Sequence, residues 1–340
     1  MSTPTLTSTP PSPTATGRTQ LATLPWRNLG MIPVIIAVIV IGALLNDAFL
    51  TQANIINVLQ QSSELAILVV AEVLLLLCGK FDLSLESIVG FAPMVAAWLV
   101  VVPAAGGQGM VLNPYLGLLV LFGVGAAVGL ANGLLVVKLG LNAFIATLAV
   151  LILLRGATLG VANGQTMSSL PAPMTYLGST SMLGLPLAVW IAAAVFVGAG
   201  LFLRHHRLGR GVYAIGGNAA AARATGLRVD RLLIGVYISA GLLAALAGLL
   251  FMGRLASVTA NQGQNMIFTV FAAAVIGGIS LNGGRGSMVG AFTGVLLLAL
   301  ISNVLTLSAV STFWIQAAQG AIILLALVLQ RLTTGERDDS

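Results

Sequence analysis

Apolar runs close to membrane-spanning length, separated by short polar segments, dominate the chain. A helix needs about 20 apolar residues to cross the hydrocarbon layer of a bilayer. The runs occupy residues 29–45, 63–79, two stretches within 87–137 that divide at 103–114, then 142–161, 182–203, 232–252, and two stretches within 286–330 that divide near 308–312. A further run, 268–280, is too short to cross and is flanked by glycines, which is typical of broken or re-entrant helices that face a protein cavity. The pattern predicts an all-α fold: a polytopic transmembrane helical bundle of about ten spans, with at least one short or broken helix.

The two ends of the chain differ from this apolar body. Residues 1–26 are rich in Ser, Thr and Pro and lack the apolar centre that a signal peptide needs. We expect a disordered N-terminal tail here, one transmembrane domain over residues 27–332, and a charged C-terminal tail over residues 333–340.

Basic residues collect in one long segment, residues 204–231, which we call the basic loop. It holds six of the fifteen Lys and Arg residues, whereas the flanking stretches 156–203 and 232–253 carry no charge. Lys and Arg accumulate on the cytoplasmic side of membrane proteins, so the basic loop is expected inside. The basic residues before the first run and after the last one place both termini on the same side. Arg254 is the one basic residue that this topology puts outside.

Composition narrows the class of protein. The chain is 58% hydrophobic and 7% charged, with a mean hydropathy of +1.04, whereas a soluble domain carries about 25% charged residues. The net charge of +6 lies mostly in membrane-flanking loops, so we expect no nucleic-acid partner. A single cysteine, Cys78, excludes an internal disulfide and a Cys-based metal cluster. His205 and His206 lie among arginines, so no metal site is expected there.

Ionisable residues inside the predicted spans are few, and they are the candidate pathway residues. Glu72 and Arg155 lie within spans, and Asp82 lies at a span end. A charge at such depth is costly in hydrocarbon, so each of these side chains should face the bundle interior or a water-filled path. They are therefore candidates for a substrate pathway. The alternative is a structural ion pair or a hydrogen bond to a helix break.

Catalytic signatures are missing from the sequence, and so is an ATP-binding loop. No Ser-His-Asp arrangement can be placed, and the H-E-x-x-H pattern is not present. Lys80 follows a glycine, but the segment does not match the phosphate-binding pattern G-x-x-x-x-G-K-[ST]. We therefore expect no enzyme activity and no cofactor bound by this chain.

A short capped helix is predicted inside the basic loop. Gly216, Gly217 and Asn218 indicate a turn, Asn218 can cap a helix over residues 219–225, and Gly226 can end it. An ordered helix of this kind is suited to docking another molecule. The alternative is a plain loop whose arginines only hold the orientation of the protein.

Four blocks of sequence resemble the permease subunits of ribose-type sugar importers in the ATP-binding-cassette superfamily, within the branched-chain amino acid and ribose permease family. Each block follows a motif of that family, in the same order and with fitting spacing. The blocks are FDLSLES at 81–87, FIATL at 144–148 followed by RG at 155–156, GR at 209–210 with YAIGGN at 213–218 and Gly226, and VIGGISL at 275–281 followed by GGRGS at 283–287.

The resemblance implies a ten-helix permease of the bacterial inner membrane that forms the pathway for a monosaccharide or polyol. It implies two permease copies, identical or sibling, an extracytoplasmic solute-binding protein, and a cytoplasmic subunit that hydrolyses ATP. The basic loop would dock on that ATPase, and the coupling residues would be Gly217, Asn218, Ala220, Arg223 and Gly226.

Some positions depart from the family pattern. Lys80 and Glu86 stand where the family usually has glycines, and we expect these two side chains to pair with each other. Ala219 and Ile267 replace acids that are frequent at their positions. Another small polar solute, such as a nucleoside, a quorum-signalling molecule or a branched-chain amino acid, therefore stays open, as does a secondary carrier that needs no ATPase.

The charge pattern predicts the accessibility of two loops. In a chain without Cys78, single cysteines at Gly217 and at Gln165 should react oppositely with a membrane-impermeant thiol reagent added outside. Gln165 lies in an outer loop and should be labelled, whereas Gly217 should be protected until the membrane is opened. Equal labelling of the two positions from outside would contradict the topology.

Overall fold

The computed structural model describes residues 31–334, and helices account for most of this range. The predicted tail 1–26 lies outside the described residues, and so do residues 335–340 of the predicted tail 333–340, whose first two residues end the last helix. The helices are α1 (Ile32–Leu45), α2 (Gln52–Leu77), α3 (Leu85–Val100), α4 (Pro114–Val137), α5 (Ala143–Ala162), α6 (Ala172–Ser179), α7 (Leu187–His205), α8 (Arg207–Ala224), α9 (Val229–Leu255), α10 (Met266–Ile276), α11 (Met288–Leu307) and α12 (Thr312–Thr334). A 3₁₀ turn covers Pro103–Ala105, and a two-residue hairpin joins β1 (Ser181–Met182) to β2 (Leu185–Pro186).

Polar side chains mark where several helices begin. Asn142 accepts a hydrogen bond from the backbone N–H of Ile145 at 3.2 Å, and Ser287 does the same for Gly290 at 3.1 Å. Each bond satisfies one of the N–H groups that the first turn of a helix leaves without a partner. The helix starts predicted near these residues are confirmed.

Two helices, α2 and α9, form the centre of the bundle. Residues 67–77 of α2 are buried on every side, because α7, α9, α10 and α11 all pack against this helix. Helix α9 packs in turn against α2, α3, α4 and α6. This stretch includes Glu72, and its burial keeps that carboxyl group out of contact with lipid, where an ionisable group is costly.

Glycines bring α4 and α9 into backbone contact. Gly125, Gly129 and Gly133 recur every four residues on one face of α4, and Gly241 faces them from α9. A Cβ atom built at Gly129 would overlap the carbonyl oxygen of Tyr237. Small residues at this spacing let transmembrane helices approach closely, which favours their association in lipid.

Six helices are long and apolar enough to cross a membrane, among the residues that the structure describes. They are α2, α4, α5, α7, α9 and α11, and three shorter apolar helices, α1, α3 and α10, accompany them. The all-α polytopic bundle is therefore confirmed, whereas the count of about ten spans stays a prediction. The short segment expected at 268–280 is α10, a helix of 11 residues.

The loops contain more structure than the sequence indicated. The predicted neutral outer loop 162–181 includes α6, whose Gly178 fits against the backbone of Leu250 and Gly253 in α9. The predicted turn at 216–218 is wrong for Gly216 and Gly217, because both residues continue α8 and only Asn218 leaves the helical conformation.

Replacing Gly129 by Leu should destabilise the bundle. The new side chain would collide with the Tyr237 carbonyl and force α4 and α9 apart, at a cost of about 1–3 kcal/mol. Thermal unfolding of the detergent-purified protein measures the loss. Gly123→Leu is the matched control, since no atom lies within 4 Å of a Cβ atom at that position of the same helix. Equal unfolding temperatures of the two variants would contradict the close contact.

Candidate functional site

A cavity of about 560 Å³ opens between α3, α5 and α10. Its wall is mostly apolar and carries phenyl rings from three parts of the chain; the rings of Phe81 and Phe271 lie 5.8 Å apart. Glu86 and Asn265 supply the polar side chains of the wall. The other lining residues are Leu83, Phe144, Leu148, Leu151, Ile267, Phe268, Val275 and Leu281.

Glu86 ties together the three helices around this cavity. One carboxylate oxygen, Oε1, lies 3.1 Å from Nη2 of Arg155 in α5, and the other, Oε2, accepts a hydrogen bond of 3.2 Å from the backbone N–H of Ile267. That N–H group belongs to the first turn of α10, where a carboxylate is favoured by the helix dipole. Only 5% of the Glu86 side chain is exposed, so its charge depends on these partners.

The expected pair of Lys80 and Glu86 is wrong. Glu86 points from the first turn of α3 towards α5 and α10, and Arg155 takes its carboxylate. Lys80 makes no ion pair with any of the residues 31–334. Arg155, a predicted pathway residue, therefore lies behind the cavity wall and contacts the cavity through Glu86.

The other two predicted pathway residues are fully buried next to the cavity. Glu72 in α2 and Asp82 in the linker between α2 and α3 have no exposed surface. Oε1 of Glu72 accepts a bond of 3.4 Å from the backbone N–H of Asp82, while its Oε2 has no protein partner. Both carboxyl groups thus act on the linker that carries Phe81 and Leu83 into the cavity wall. A role for them in transport stays a prediction.

Asp82 organises that linker through a local network. Its carboxylate accepts bonds from Asn132 in α4, at 3.2 and 3.0 Å, and from the Ser84 hydroxyl at 2.6 Å. Thr147 in α5 accepts the Leu83 backbone N–H at 3.1 Å. A buried carboxylate that is hydrogen-bonded in this way holds its neighbours in one arrangement. Sequence reasoning missed Asn132, although it is one of few polar side chains in a long apolar run.

A second buried ion pair lies away from the cavity, between α2 and α9. Glu64 and Arg254 make two hydrogen bonds, of 2.7 and 2.9 Å, and the Arg254 guanidinium lies 4.9 Å from the ring centre of Phe251. This ion pair accounts for Arg254, the one basic residue that the predicted topology places outside. Sequence reasoning missed Glu64; the misplaced arginine was the signal that could have found it.

The predicted capped helix of the basic loop exists as the last part of α8. Asn218 is extended, with φ −162° and ψ 102°, and divides α8 into two pieces. Its side chain accepts a hydrogen bond of 2.9 Å from the backbone N–H of Ala221. Gly226 follows the helix with φ +84°, a conformation that suits glycine. The predicted cap and stop are confirmed, and we call residues 219–224 the capped helix.

The capped helix presents a small, exposed surface. Ala220 and Arg223 are exposed, while Ala222 is buried beneath them. Arg223 pairs with Asp230 at 3.2 Å, and Lys138 contacts the other oxygen of the same carboxylate at 3.2 Å. Both pairs lie near solvent, so each contributes little stability and leaves Arg223 able to exchange partners.

A contact between three glycine-containing segments joins α8 to the rest of the bundle; we call it the glycine junction. Gly216 lies against the carbonyl oxygen of Leu77 at the end of α2 and the backbone of Gly284. The Gly284 N–H donates to the same carbonyl at 2.9 Å. Gly283 closes the contact against Gly79 and Gly216. Side chains at these positions would push the segments apart.

Tyr213 adds a side-chain bond between α8 and the segment after α10. Its hydroxyl donates to the Gly286 carbonyl at 3.0 Å. A tyrosine hydroxyl is protonated at neutral pH in any case, and burial raises the pKa of this one further. No group of three or more His, Cys, Asp or Glu side chains able to hold a metal ion occurs within residues 31–334.

The chain is similar to known transport proteins. Residues 54–327 match the family described as the branched-chain amino acid transport system permease component. The ribose import permease protein RbsC of Escherichia coli strain K12 is 37% identical over 299 residues, which are 87% of this chain and 91% of that protein. No solved structure matches the chain.

Two further relatives carry other names. The L-arabinose ABC transporter permease protein AraH of Azospirillum brasilense is 32% identical over 85% of this chain and 83% of that protein. The autoinducer 2 import system permease protein LsrC of Klebsiella pneumoniae is 32% identical over 89% of this chain and 86% of that protein. The resemblance found in the four sequence blocks is confirmed. The chain therefore belongs to the family of branched-chain amino acid transport system permease components, and within it to the ribose-type permeases of ATP-binding-cassette importers.

Proposed function

We propose that this permease carries a monosaccharide or polyol across the bacterial inner membrane, and that the capped helix receives the movement of a cytoplasmic ATPase. The observation that carries the proposal is the glycine junction, which connects the capped helix to the segments lining the cavity. The chain itself would bind no cofactor and catalyse no reaction; the partner ATPase would hydrolyse ATP.

The connection runs through backbone rather than through long side chains. Gly216 is two residues from the kink at Asn218, and it rests on Leu77 and Gly284. Leu77 is followed by the linker that carries Phe81 into the cavity wall, and Gly284 follows Leu281, which also lines the cavity. A displacement of the capped helix would therefore reach both sides of the cavity within a few residues.

The cavity suits a pathway better than a tight binding site. Its wall offers mainly phenyl rings and aliphatic side chains, and its one carboxylate, Glu86, is already engaged by Arg155 and the α10 N-terminus. Passage requires binding that is weak enough to allow release. Selection of the solute would then rest with the extracytoplasmic binding protein. The relatives named for ribose and L-arabinose import support a sugar, and the relative named for autoinducer 2 supports another small polar solute as the second candidate.

The assembly would contain two permeases, this chain with itself or with a sibling, and the cavity would be one half of the shared path. Both termini and the basic loop would be cytoplasmic, and about ten segments would cross the membrane, with α1, α3 and α10 as the short ones. The position of two short helices supports this arrangement, since α3 and α10 both contribute residues to the cavity wall.

A bulky residue on the capped helix should uncouple the importer. Ala220→Trp leaves the Asn218 cap and Gly226 in place but obstructs a partner surface, so ATPase binding should fall by about tenfold or more. The measurements are copurification of the ATPase and uptake of radiolabelled ribose into vesicles that contain ATP, the ATPase and the binding protein. Both should be lost together.

Ala214→Trp is the matched control, because Ala214 is also exposed on α8 but precedes the kink. It should retain ATPase binding and vanadate-sensitive uptake. Full ATPase binding and uptake by Ala220→Trp would indicate that the basic loop only holds the orientation of the protein in the membrane. Ribose uptake that persists without the ATPase would instead favour a secondary carrier.

Removing either partner of the Glu86–Arg155 pair should lower stability and uptake. Glu86→Gln and Arg155→Met each leave a mostly buried polar partner without its counter-charge, at a cost of about 1–3 kcal/mol. The double variant should cost less than the sum of the two, since both singles break one interaction. Thermal unfolding in detergent and ribose uptake measure these effects.

Lys80→Met provides the control, because this lysine lies close in sequence but takes no part in the pair. Its effect should stay within about 0.5 kcal/mol. If the costs of the two single variants add up in the double variant, Glu86 and Arg155 do not interact, and the pair plays no part in the proposed pathway.

A further inference from the structure

A second concave site, a groove of about 730 Å³, lies between α7, α8 and α11. Val197 and Leu201 form one wall, Val289 and Phe292 form the other, and all four side chains are at least half exposed. Gly200 widens the groove, since its position opposite Met288 carries no side chain. The groove is separate from the cavity described above, with which it shares no lining residue.

The groove has an apolar floor. Phe196 and Phe292 meet edge to face across it, with their ring centres 5.7 Å apart. Surface apolar side chains on a transmembrane helix face acyl chains in any case, but here they form a concave slot rather than a flat face. A slot of this shape holds one acyl chain more completely than the surrounding bilayer does, because contact is made on several sides.

One end of the groove is basic. Arg204, in the last turn of α7, is the only charged residue among those that line it. Neither an ion pair nor a side-chain hydrogen bond occupies Arg204 within the described part of the chain. Arg207 and Arg210 follow it at the start of α8, so the positive charge continues towards the cytoplasmic face. A basic pocket between transmembrane helices on this side is suited to an anionic lipid headgroup.

We propose that this groove is a binding site for one anionic phospholipid of the inner leaflet. Its phosphate lies at Arg204, and one acyl chain lies along α7 between Leu201 and Phe196. The length of the groove along α7 fits an acyl chain. Eight residue steps separate Arg204 from Phe196 and span about 12 Å of helix, close to the depth of one leaflet of about 15 Å. The charge of Arg204 selects an anionic headgroup over a zwitterionic one.

The lipid would touch α8 as well. Tyr213 lines the groove and donates its hydroxyl hydrogen bond to Gly286. Ser287, the N-cap of α11, lines it from the other side. The bound lipid therefore fills the space between the start of α8 and the start of α11, at a place where these helices leave a gap. Occupancy of the site does not require transport, and it can be tested without it.

Fluorescence quenching by brominated lipids tests the site. The full chain, with its four native tryptophans changed to phenylalanine and Leu201→Trp introduced, is reconstituted in phosphatidylcholine vesicles. A minor fraction of brominated phosphatidylglycerol or of brominated phosphatidylcholine is then included. Phosphatidylglycerol should quench Trp at this position roughly fivefold more effectively, the preference expected of one arginine at the membrane surface.

Charge variants separate this site from general attraction to a basic protein. Arg204→Gln should reduce the preference to about one, Arg204→Lys should retain most of it, and Arg231→Gln, outside the groove, should leave it unchanged. Leu134→Trp provides the control position, since Leu134 is exposed near the predicted cytoplasmic end of α4, outside the groove, and the nearby Lys138 is engaged by Asp230. No preference is expected there.

Three results would overturn the proposal. The first is equal quenching by the two lipids at Leu201→Trp, and the second is a preference that survives Arg204→Gln. The third is efficient disulfide formation between two copies of a Cys78-free Leu201→Cys chain in the membrane, which would show that a second copy covers the groove instead of lipid.

Discussion

Irregular backbone inside a membrane has to find hydrogen-bond partners within the protein, and this constraint shapes the region around α10. The helix has 11 residues, so both of its ends lie within the bundle. Glu86 accepts the N–H of Ile267 at its start. The buried amide of Gln262, in the segment before α10, donates to the carbonyl of Val89 at 2.8 Å. Both side chains fix the segment at the start of α10, and backbone hydrogen bonds from Gly278 to Val275 and from Ile279 to Ala274 close its other end.

The same need explains the distribution of ionisable groups. Asp82 accepts the hydrogen bond of Ser84 in the linker between α2 and α3, and Glu86 accepts the N–H of Ile267 at the start of α10. Glu64 neutralises Arg254. Each is a structural solution at a place where the chain departs from regular helix or carries a stray charge. The apolar character of the cavity is consistent with this use of charge: the buried carboxylates fix the segments around the cavity and leave its wall largely apolar.

Much of the fold could be predicted from the sequence because hydropathy and charge indicate which segments lie within the membrane. The helix start after Asn142 and the short helix α10 were predicted from the apolar runs. The cap at Asn218 was predicted from the turn and capping residues around it. Rotation of a helix about its axis is not encoded so directly. Arg155 was placed in its span without a partner. Glu86 was expected to pair with its neighbour Lys80 but pairs with Arg155, and Glu64 meets Arg254 across 190 positions.

The glycine junction has a mechanical consequence. Ordinary contacts between helices pass through side chains, which can change rotamer and absorb part of any movement. At Gly216, Gly283 and Gly284 main chain rests on main chain, and there is no side-chain torsion available to relax. Such a contact is rigid, because it cannot relax by a change of rotamer. Even a displacement smaller than an ångström at the capped helix would therefore move the neighbouring segments.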